Sequence, residues 1–282
     1  MKMIKIVTDS TSSLPPTLAE EHGIHVMPVY VIFGEQSFQD GVDLTAEQFY
    51  HLLRESKKLP TTAQPSVMDF VQVYTRLARQ AEAIVSIHLS HEMSATLDSA
   101  LAAARELPQV PIHVIDSRSV SMGLGFMALA AARAAAEGKS VAEVVRTAED
   151  LIPRMKVIFT VDTLEYLHRG GRIGGAAALL GSALSIKPVL YVKDGRVEAL
   201  EKARTRKRAK GRVLSIMEEW IGSASVVHAS VLHAAASEEA QALADQVASR
   251  FHCAELHTAE AGPIIGTHAG PGTLGVAFYT EM

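Results

Sequence analysis

A glycine-rich segment with one histidine, residues 266–275, precedes the apolar run Val276–Tyr279 that we predict as the closing strand. Glycines adopt positive φ and let a backbone approach a ligand closely. Because Pro271 fixes its own φ, we predict a stiff turn that holds His268 in place. A histidine held in this way can hydrogen-bond a ligand or transfer protons near neutral pH. His268 is therefore the first candidate functional residue, and the alternative is a tight turn with an incidental histidine.

Three other polar clusters lie where predicted strands end or predicted helices begin, at residues 8–13, 61–66 and 90–96. Ligands of α/β sheets usually bind where strands end. Hydroxyl groups near the free N–H groups of a helix N-terminus suit a carboxylate or a phosphate. For the first cluster, the alternative is a helix cap and turn without a ligand.

Other site chemistries have weaker support in the sequence. Ser94 and His268 suggest a nucleophilic pair, but no G-x-S-x-G elbow surrounds Ser94 and no third, orienting acid can be identified. His88 and His91 lie three residues apart without a wider metal-ligand pattern, so we expect no metal site. The glycines of residues 170–175 do not match G-x-G-x-x-G and there is no P-loop motif, so we expect no nucleotide cofactor.

A basic run places seven Lys and Arg residues between positions 202 and 212. Such a run is usually a solvated helix face. A nucleic-acid patch would need interleaved aromatic residues, which this run lacks, so that interpretation is the less favoured alternative to a phosphate-handling or protein-docking surface. Arg172, within a glycine-rich loop, could join this surface as a bidentate phosphate contact.

The composition indicates a globular protein with a large aliphatic core. The chain has 282 residues, 48% of them hydrophobic, a formal net charge of −4 and a single cysteine. The charge gives no overall field for nucleic acid or anionic membrane, and one cysteine excludes an internal disulfide framework. The N-terminus has no leader-like apolar region and no apolar run is long enough to span a bilayer, so we expect a cytoplasmic protein without membrane insertion.

Short apolar runs alternate with helical patterns through the first part of the chain, which predicts an α/β fold. The predicted strands are Ile4–Thr8, Val26–Phe33, Ala83–Leu89, Ile112–Asp116 and Val157–Val161. The predicted helices are Thr45–Lys57, Ser66–Ala81, Ser94–Glu106, Ser119–Glu137 and a further helix that begins at the capping box of Ser140 and ends before Pro153.

The pattern starts again after residue 160, so we predict two α/β domains, residues 1–160 and 161–282. The second is expected to contain a hairpin that turns at Asp194-Gly195. Its other predicted elements are helices Asp162–His168, Ala176–Ser185, Thr205–Ile221 and Ser237–Phe251, and strands Lys187–Lys193, Val197–Lys202, Ser225–His233, Ala254–Thr258 and Val276–Tyr279.

These motifs, taken together, resemble the DegV family over essentially the full chain. DegV proteins are fatty-acid-binding proteins that work with a bacterial fatty acid kinase. The segments that carry the resemblance are Ile6–Ser12, Asp40–Leu44, Thr62–Ser66, Val114–Ser117, Thr163–Leu167, Gly170–Ile173 and Gly266–Gly272. Each segment is weak evidence alone, but the set is specific.

The resemblance implies two α/β domains with a long-chain fatty acid buried between them and no other cofactor. It implies that Thr62, Ser94 and His268 hold the carboxylate. It also implies that Arg172 and Arg204 serve the phosphorylation of the bound acid by a partner kinase that uses ATP. The protein itself would then not be an enzyme but a carrier that supplies fatty acid for phospholipid synthesis.

This chain departs from the family pattern in one segment. The usual S-S-x-L-S-G-T is replaced by residues 90–96, in which His91 stands for a serine and Ala95 for a glycine. Ser94 is kept, and we expect the replacements to reshape the head-group site or the tunnel mouth, where Ser90, His91 and Gly270 are candidate neighbours. Two other functions stay open: an esterase or acyltransferase that uses Ser94, and a regulatory protein that binds nucleic acid through residues 202–212.

Overall fold

The structure is a computed structural model that describes residues 3–181, 186–223 and 226–281. The strands are β1 (Met3–Asp9), β2 (Ile24–Met27), β3 (Tyr30–Phe33), β4 (Gln36–Gln39), β5 (Thr61–Ala63), β6 (Ala81–His88), β7 (Ile112–Asp116), β8 (Lys156–Thr160), β9 (Lys187–Lys193), β10 (Arg196–Ala203), β11 (Val227–His233), β12 (Cys253–Glu260) and β13 (Leu274–Thr280). The helices are α1 (Pro16–Glu21), α2 (Ala46–Glu55), α3 (Val67–Ala78), α4 (Thr96–Arg105), α5 (Met122–Ala136), α6 (Val141–Glu149), α7 (Glu165–Arg169), α8 (Arg206–Ile221), α9 (Ser237–Arg250) and α10 (Pro263–Ala269). Two 3-10 segments cover Ser10–Ser12 and Gly174–Leu179.

A parallel sheet in the order β2-β1-β6-β7 forms the base of the N-terminal part. Its strands are apolar on both faces because helices cover both sides. Val7 and Ile84 face α3 and α4, where they pack with Phe70 and Tyr74. The residues that alternate with them, such as Val85, face α5. The alternation of strands and helices therefore predicted the α/β fold correctly.

The C-terminal part is built on a six-stranded sheet in the order β10-β9-β8-β13-β11-β12. All its neighbouring strands are antiparallel except β11 and β12, which are parallel. The predicted hairpin is confirmed: β9 and β10 pair around Asp194 and Gly195, which both have positive φ. A small antiparallel sheet, β4-β3-β5, packs against α2 and α10.

Helix α5 lies between the two large sheets and belongs to the largest apolar cluster, with residues of β6, β8 and β13. Two glycines let it come close to its neighbours. A Cβ on Gly123 would lie 2.7 Å from a methyl carbon of Val157, and one on Gly125 would lie 2.9 Å from the carbonyl oxygen of Ser12. The buried helix therefore joins the N-terminal and C-terminal sheets.

The capping signals located several helix starts correctly. Thr45, Ser66 and Ser140 form capping boxes at the N-termini of α2, α3 and α6. In each, the hydroxyl accepts a backbone N–H three residues on, and the side chain three residues on accepts the cap N–H. The boundary predicted at residue 160 stays a prediction, although β8, which precedes it, already pairs within the six-stranded sheet.

Some local predictions were wrong. The single strand predicted at Val26–Phe33 is two strands in different sheets, separated at Pro28, which cannot donate to a ladder. Within the described part of the helix predicted at Ala176–Ser185, the chain forms the 3-10 segment Gly174–Leu179, and residues 182–185 lie outside the described ranges. Strands β4 and β5 were not predicted.

Candidate functional site

A cavity between the two large sheets brings together four of the predicted site residues. Thr62, Ser94, Arg172 and His268 all line it, and it encloses about 1000 Å³ of space, its open mouth included. Most of the remaining lining is aliphatic or aromatic and comes from both parts of the chain, including Val29, Leu89, Val157, Phe159, Leu232 and Ile264. No Asp or Glu occurs among the lining residues that the structure describes.

Thr62 and His268 form the central polar contact of this cavity. The Thr62 Oγ1 lies 3.0 Å from the His268 Nε2, although the two residues are 206 positions apart. Thr62 is held by β5, where it lies opposite Val31 of β3. His268 is in the last turn of α10.

The turn predicted for residues 266–275 is wrong in its first half, because Pro263–Ala269 is a helix. Pro263 occupies a first-turn position, where its missing N–H costs nothing, and Gly270 ends the helix with a φ of 77°. Gly266 is needed for packing and not for a turn. A Cβ there would lie 2.6 Å from the Phe49 ring and 2.8 Å from the Tyr50 hydroxyl.

The imidazole of His268 is held neutral in a tight pocket. Burial, and to a smaller extent the Arg172 guanidinium, lower the pKa of His268 to about 4. The Nδ1 atom is buried and has no hydrogen-bond partner among the described residues. It lies against Gly170, where a Cβ would be only 2.2 Å away, so glycine at this position leaves room for the ring.

Ser94 lies between β6 and α4, and its side chain is half-buried. Its hydroxyl lies 2.9 Å from the Thr96 Oγ1 and accepts the Thr96 N–H at 3.2 Å. When the Thr96 hydroxyl donates that bond, the Ser94 hydroxyl proton is free to donate toward the cavity. The esterase alternative requires a serine–histidine pair, but in the described chain Ser94 bonds Thr96, and His268 bonds Thr62.

The three candidate neighbours of the head group lie outside the cavity lining. Ser90 is fully buried and donates to the Gly195 carbonyl at 2.7 Å, so it ties this loop to the hairpin turn. His91 is exposed, with Nδ1 3.7 Å from a carboxylate oxygen of Asp98. Gly270 packs against Tyr166, whose ring would lie 2.3 Å from an added Cβ. Ser90 and Gly270 directly follow the lining residues Leu89 and Ala269, and the role of the three as head-group neighbours stays a prediction.

The two predicted arginines differ in position. Arg172 is exposed but reaches the cavity, with Nε donating to the Met93 carbonyl at 2.9 Å and Nη1 to the Gly170 carbonyl at 2.8 Å. These bonds orient the guanidinium without neutralising its charge. Arg204 is exposed outside the cavity lining and forms no ion pair with a described residue.

Carboxylates neutralise part of the basic run at residues 202–212. Arg206 pairs with Asp162 and Glu239, and Lys210 also pairs with Glu239. Arg212 pairs with Glu201. These pairs reduce the charge available to nucleic acid and support the interpretation of the run as a solvated helix face.

The described residues contain no cluster of His, Cys, Asp and Glu that could hold a metal, and His88 instead bonds Asp9 and Ser86 in the core.

Sequence reasoning missed three polar residues of the cavity, Ser121, His233 and Thr273. His233 ends β11, and a polar residue at the end of an apolar strand is the signal that could have indicated it. Burial lowers the pKa of His233. Thr273 is held in place because its hydroxyl donates to the carbonyls of Ala269 and Gly270.

Comparisons with known proteins give a consistent result over the whole chain. A family model described as "Uncharacterised protein, DegV family" matches residues 3–281. A DegV domain-containing protein of Streptomyces coelicolor is 44% identical over 275 residues, 97% of each chain. A solved fatty-acid-binding DegV family protein of Thermus thermophilus is 38% identical, with a TM-score of 0.94 over 99% of this chain and 100% of that one. The fatty acid binding protein DegV of Bacillus subtilis is 33% identical, with a TM-score of 0.93 over the full length of both chains. In the described part of the chain, no helix is long and apolar enough to cross a membrane.

Proposed function

We propose that this chain, which belongs to the DegV family, binds a long-chain fatty acid in the cavity between its sheets. The observation that carries the proposal is the convergence of Thr62, Ser94 and His268 on one largely apolar cavity. The similar proteins of Thermus thermophilus and Bacillus subtilis are described as fatty acid binding. A ligand with an apolar chain and an anionic head matches this lining.

The energetics favour such a ligand. Burying a carboxylate costs several kcal/mol unless hydrogen bonds replace its water, and the hydroxyls of Thr62 and Ser94 supply donors here. At about 0.8 kcal/mol per CH₂, roughly fifteen methylenes contribute on the order of 12 kcal/mol before the costs of binding are subtracted. The acyl chain of the ligand therefore provides the affinity, and the polar groups fix which end of the ligand lies near His268.

The neutral imidazole of His268 carries one proton, and the nitrogen that holds it sets the direction of the hydrogen bond to Thr62. If Nε2 carries the proton, it donates to the Thr62 oxygen, which leaves the Thr62 hydroxyl proton free for the carboxylate. Thr62 then binds the ligand, and His268 orients Thr62. In this arrangement the histidine positions a hydroxyl and does not act as a catalytic base.

We further propose that the bound acid is presented to an ATP-dependent fatty acid kinase in the cytoplasm, for use in phospholipid synthesis. In that reaction a carboxylate oxygen bonds to the γ-phosphorus of ATP, the bond from that phosphorus to the β–γ bridging oxygen breaks, and ADP leaves. No proton transfer is needed, and the carrier contributes no nucleotide site. Arg172, which lies beside the head-group site, and the exposed Arg204 would contact the kinase or the transferred phosphate.

Arginine variants test the division between binding and presentation. Arg172→Ala and Arg204→Ala should leave fatty-acid affinity within a few-fold of wild type but lower the rate of acyl-phosphate formation with kinase and ATP at least tenfold. Arg79→Ala, which removes an exposed arginine at the end of α3, is the matched control and should leave both unchanged. Loss of fatty-acid binding in both arginine variants, or unchanged phosphorylation, would show that this division is wrong.

A further inference from the structure

A buried carboxyl group lies directly behind the wall of the cavity. Asp40 directly follows β4 and is only 7% exposed. Its backbone N–H donates to the Val29 carbonyl at 2.9 Å, and a Cβ added to Gly262 would lie 2.8 Å from its Oδ1. Val29 lines the cavity, and so do Ala261 and Ile264, which lie on either side of the start of α10. A single layer of residues therefore separates this carboxyl from the cavity.

Asp40 is buried without a positive charge to stabilise its anionic form. In the part of the chain that the structure describes, no Lys or Arg acts on this carboxyl. Burial raises the pKa of Asp40 to about 7, although hydrogen bonds with the Ser10 hydroxyl and the Ile264 N–H oppose the rise. The nearby Asp9 carboxyl adds to it. At neutral pH, Asp40 is therefore protonated in about half of the molecules.

The other titratable groups near Asp40 bring no positive charge to it. They are Asp9, Asp43, Tyr50, His233, Glu260 and His268. Burial lowers the pKa values of His233 and His268 and raises that of Tyr50, so these three side chains are neutral at pH 7.5. The other three are acids. A negative charge that enters this region therefore finds no buried cation beside Asp40.

A fatty-acid carboxylate bound at Thr62 would be such a charge. Thr62 contacts His268 in the last turn of α10, whereas Asp40 lies at the first turn, and a seven-residue helix is about 10 Å long. At an effective dielectric constant of about 20, two unit charges about 10 Å apart change an equilibrium constant roughly tenfold. This repulsion disappears when Asp40 takes up a proton.

We propose that fatty-acid binding is coupled to the uptake of one proton by Asp40, so that an anionic ligand is bound beside a neutral carboxyl behind the cavity wall. The proton comes from solvent and returns to it when the ligand leaves. Asp40 does not contact the ligand and acts on it only through its charge. The inference rests on the proposed function, because it requires the ligand carboxylate near His268.

Calorimetry tests the proton uptake directly. Dodecanoate is titrated at pH 7.5 into the full-length chain, after bound lipid has been removed, in two buffers with different ionisation enthalpies. A tenfold interaction predicts that roughly half a proton is taken up per ligand at this pH. Asp40→Asn, a neutral side chain of similar shape, should abolish most of this uptake. Glu47→Gln, which removes an exposed carboxylate of α2, is the matched control and should take up as many protons as wild type.

The affinity should depend on pH in the same way. At pH 6, Asp40 is mostly protonated before the ligand binds, whereas at pH 9 it is ionised. The affinity of wild type for dodecanoate should therefore fall roughly tenfold from pH 6 to pH 9, and that of Asp40→Asn should change less than about threefold. A purely structural role of Asp40 would instead change the affinity of Asp40→Asn by the same factor at every pH.

Infrared difference spectra give a measurement that needs no variant. Addition of dodecanoate to wild type at pH 7.5 should increase the absorption of protonated carboxyl groups, and a ligand labelled with carbon-13 at its carboxylate identifies the bands of the ligand.

The inference is overturned if wild type binds dodecanoate without proton uptake, if Asp40→Asn takes up as many protons as wild type, or if the absorption of protonated carboxyl groups does not increase. Loss of the uptake in Glu47→Gln would also overturn it, because the effect would then not belong to Asp40. Failure of wild type to bind dodecanoate and every longer fatty acid tested would contradict the proposed function itself. The two failures are therefore distinguishable in one set of titrations.

Discussion

The contact between Thr62 and His268 allows a sharp test of the head-group site. Thr62→Val keeps the branched shape that suits β5 but removes the hydroxyl, whereas Thr62→Ser keeps the hydroxyl and removes a methyl group. In the structure this hydroxyl is the described partner of the His268 Nε2, at 3.0 Å. The valine variant therefore removes one bond to the carboxylate and also leaves the imidazole without its partner.

The expected loss follows from the type of hydrogen bond. A bond to a charged group contributes about 1.5–3 kcal/mol, so Thr62→Val should weaken fatty-acid binding roughly ten- to hundredfold. Thr62→Ser should bind within about threefold of wild type. Because the pKa of His268 is lowered to about 4, the imidazole stays neutral, and the ratio between the two variants should be the same at pH 6 and pH 8.

The assay is displacement of a fluorescent fatty acid from the purified full-length chain, with thermal unfolding to confirm that each variant is folded. If Thr62→Val bound as tightly as Thr62→Ser, the carboxylate would not contact this hydroxyl. A ratio that changed strongly between pH 6 and pH 8 would contradict the neutral imidazole.

Three further variants test the packing at His268, the helix stability of α8 and the protonation of a buried carboxyl. Gly170→Ala should weaken fatty-acid binding several-fold in the same assay, because a Cβ would lie 2.2 Å from the His268 Nδ1 and the ring must move; wild-type affinity would contradict this. Gly211→Ala, at a helix position with nothing within 4 Å of the added Cβ, should leave binding unchanged and raise the free energy of unfolding in urea by about 0.5–1 kcal/mol. Burial raises the pKa of Asp40 to about 7. Between about pH 4 and pH 7 the native state therefore binds more protons than the unfolded chain, so the free energy of unfolding falls as the pH rises. The free energy of unfolding of wild type minus that of Asp40→Asn should therefore fall by a few kcal/mol from pH 4.5 to pH 7.5, and a constant difference would refute the raised pKa.

The sequence was sufficient to predict the elements that follow from local patterns. Capping boxes at Thr45, Ser66 and Ser140 mark helix starts because the signal and the structure it predicts lie within four residues. The hairpin turn at Asp194-Gly195 is equally local, since both residues must adopt positive φ. The glycine of residue 266 was misinterpreted because its function is close packing against α2, which no local pattern records.

The site itself could be predicted only in part. The hydroxyl clusters and His268 were identified as candidates from the strand and helix ends next to them, but the residues alone did not show which of them meet. That Thr62 bonds His268 depends on β5 pairing with β3 in a small sheet that the sequence did not predict.

The most direct test of the central claim is to identify and quantify the lipid in the purified protein. Extraction and mass spectrometry of the full-length chain should find a long-chain fatty acid at close to one molecule per chain. The Leu232→Trp variant, which fills part of the cavity, should contain much less while remaining folded. Wild type that carries no fatty acid and takes up none when it is added, or a Leu232→Trp variant that carries as much as wild type, would contradict binding in this cavity.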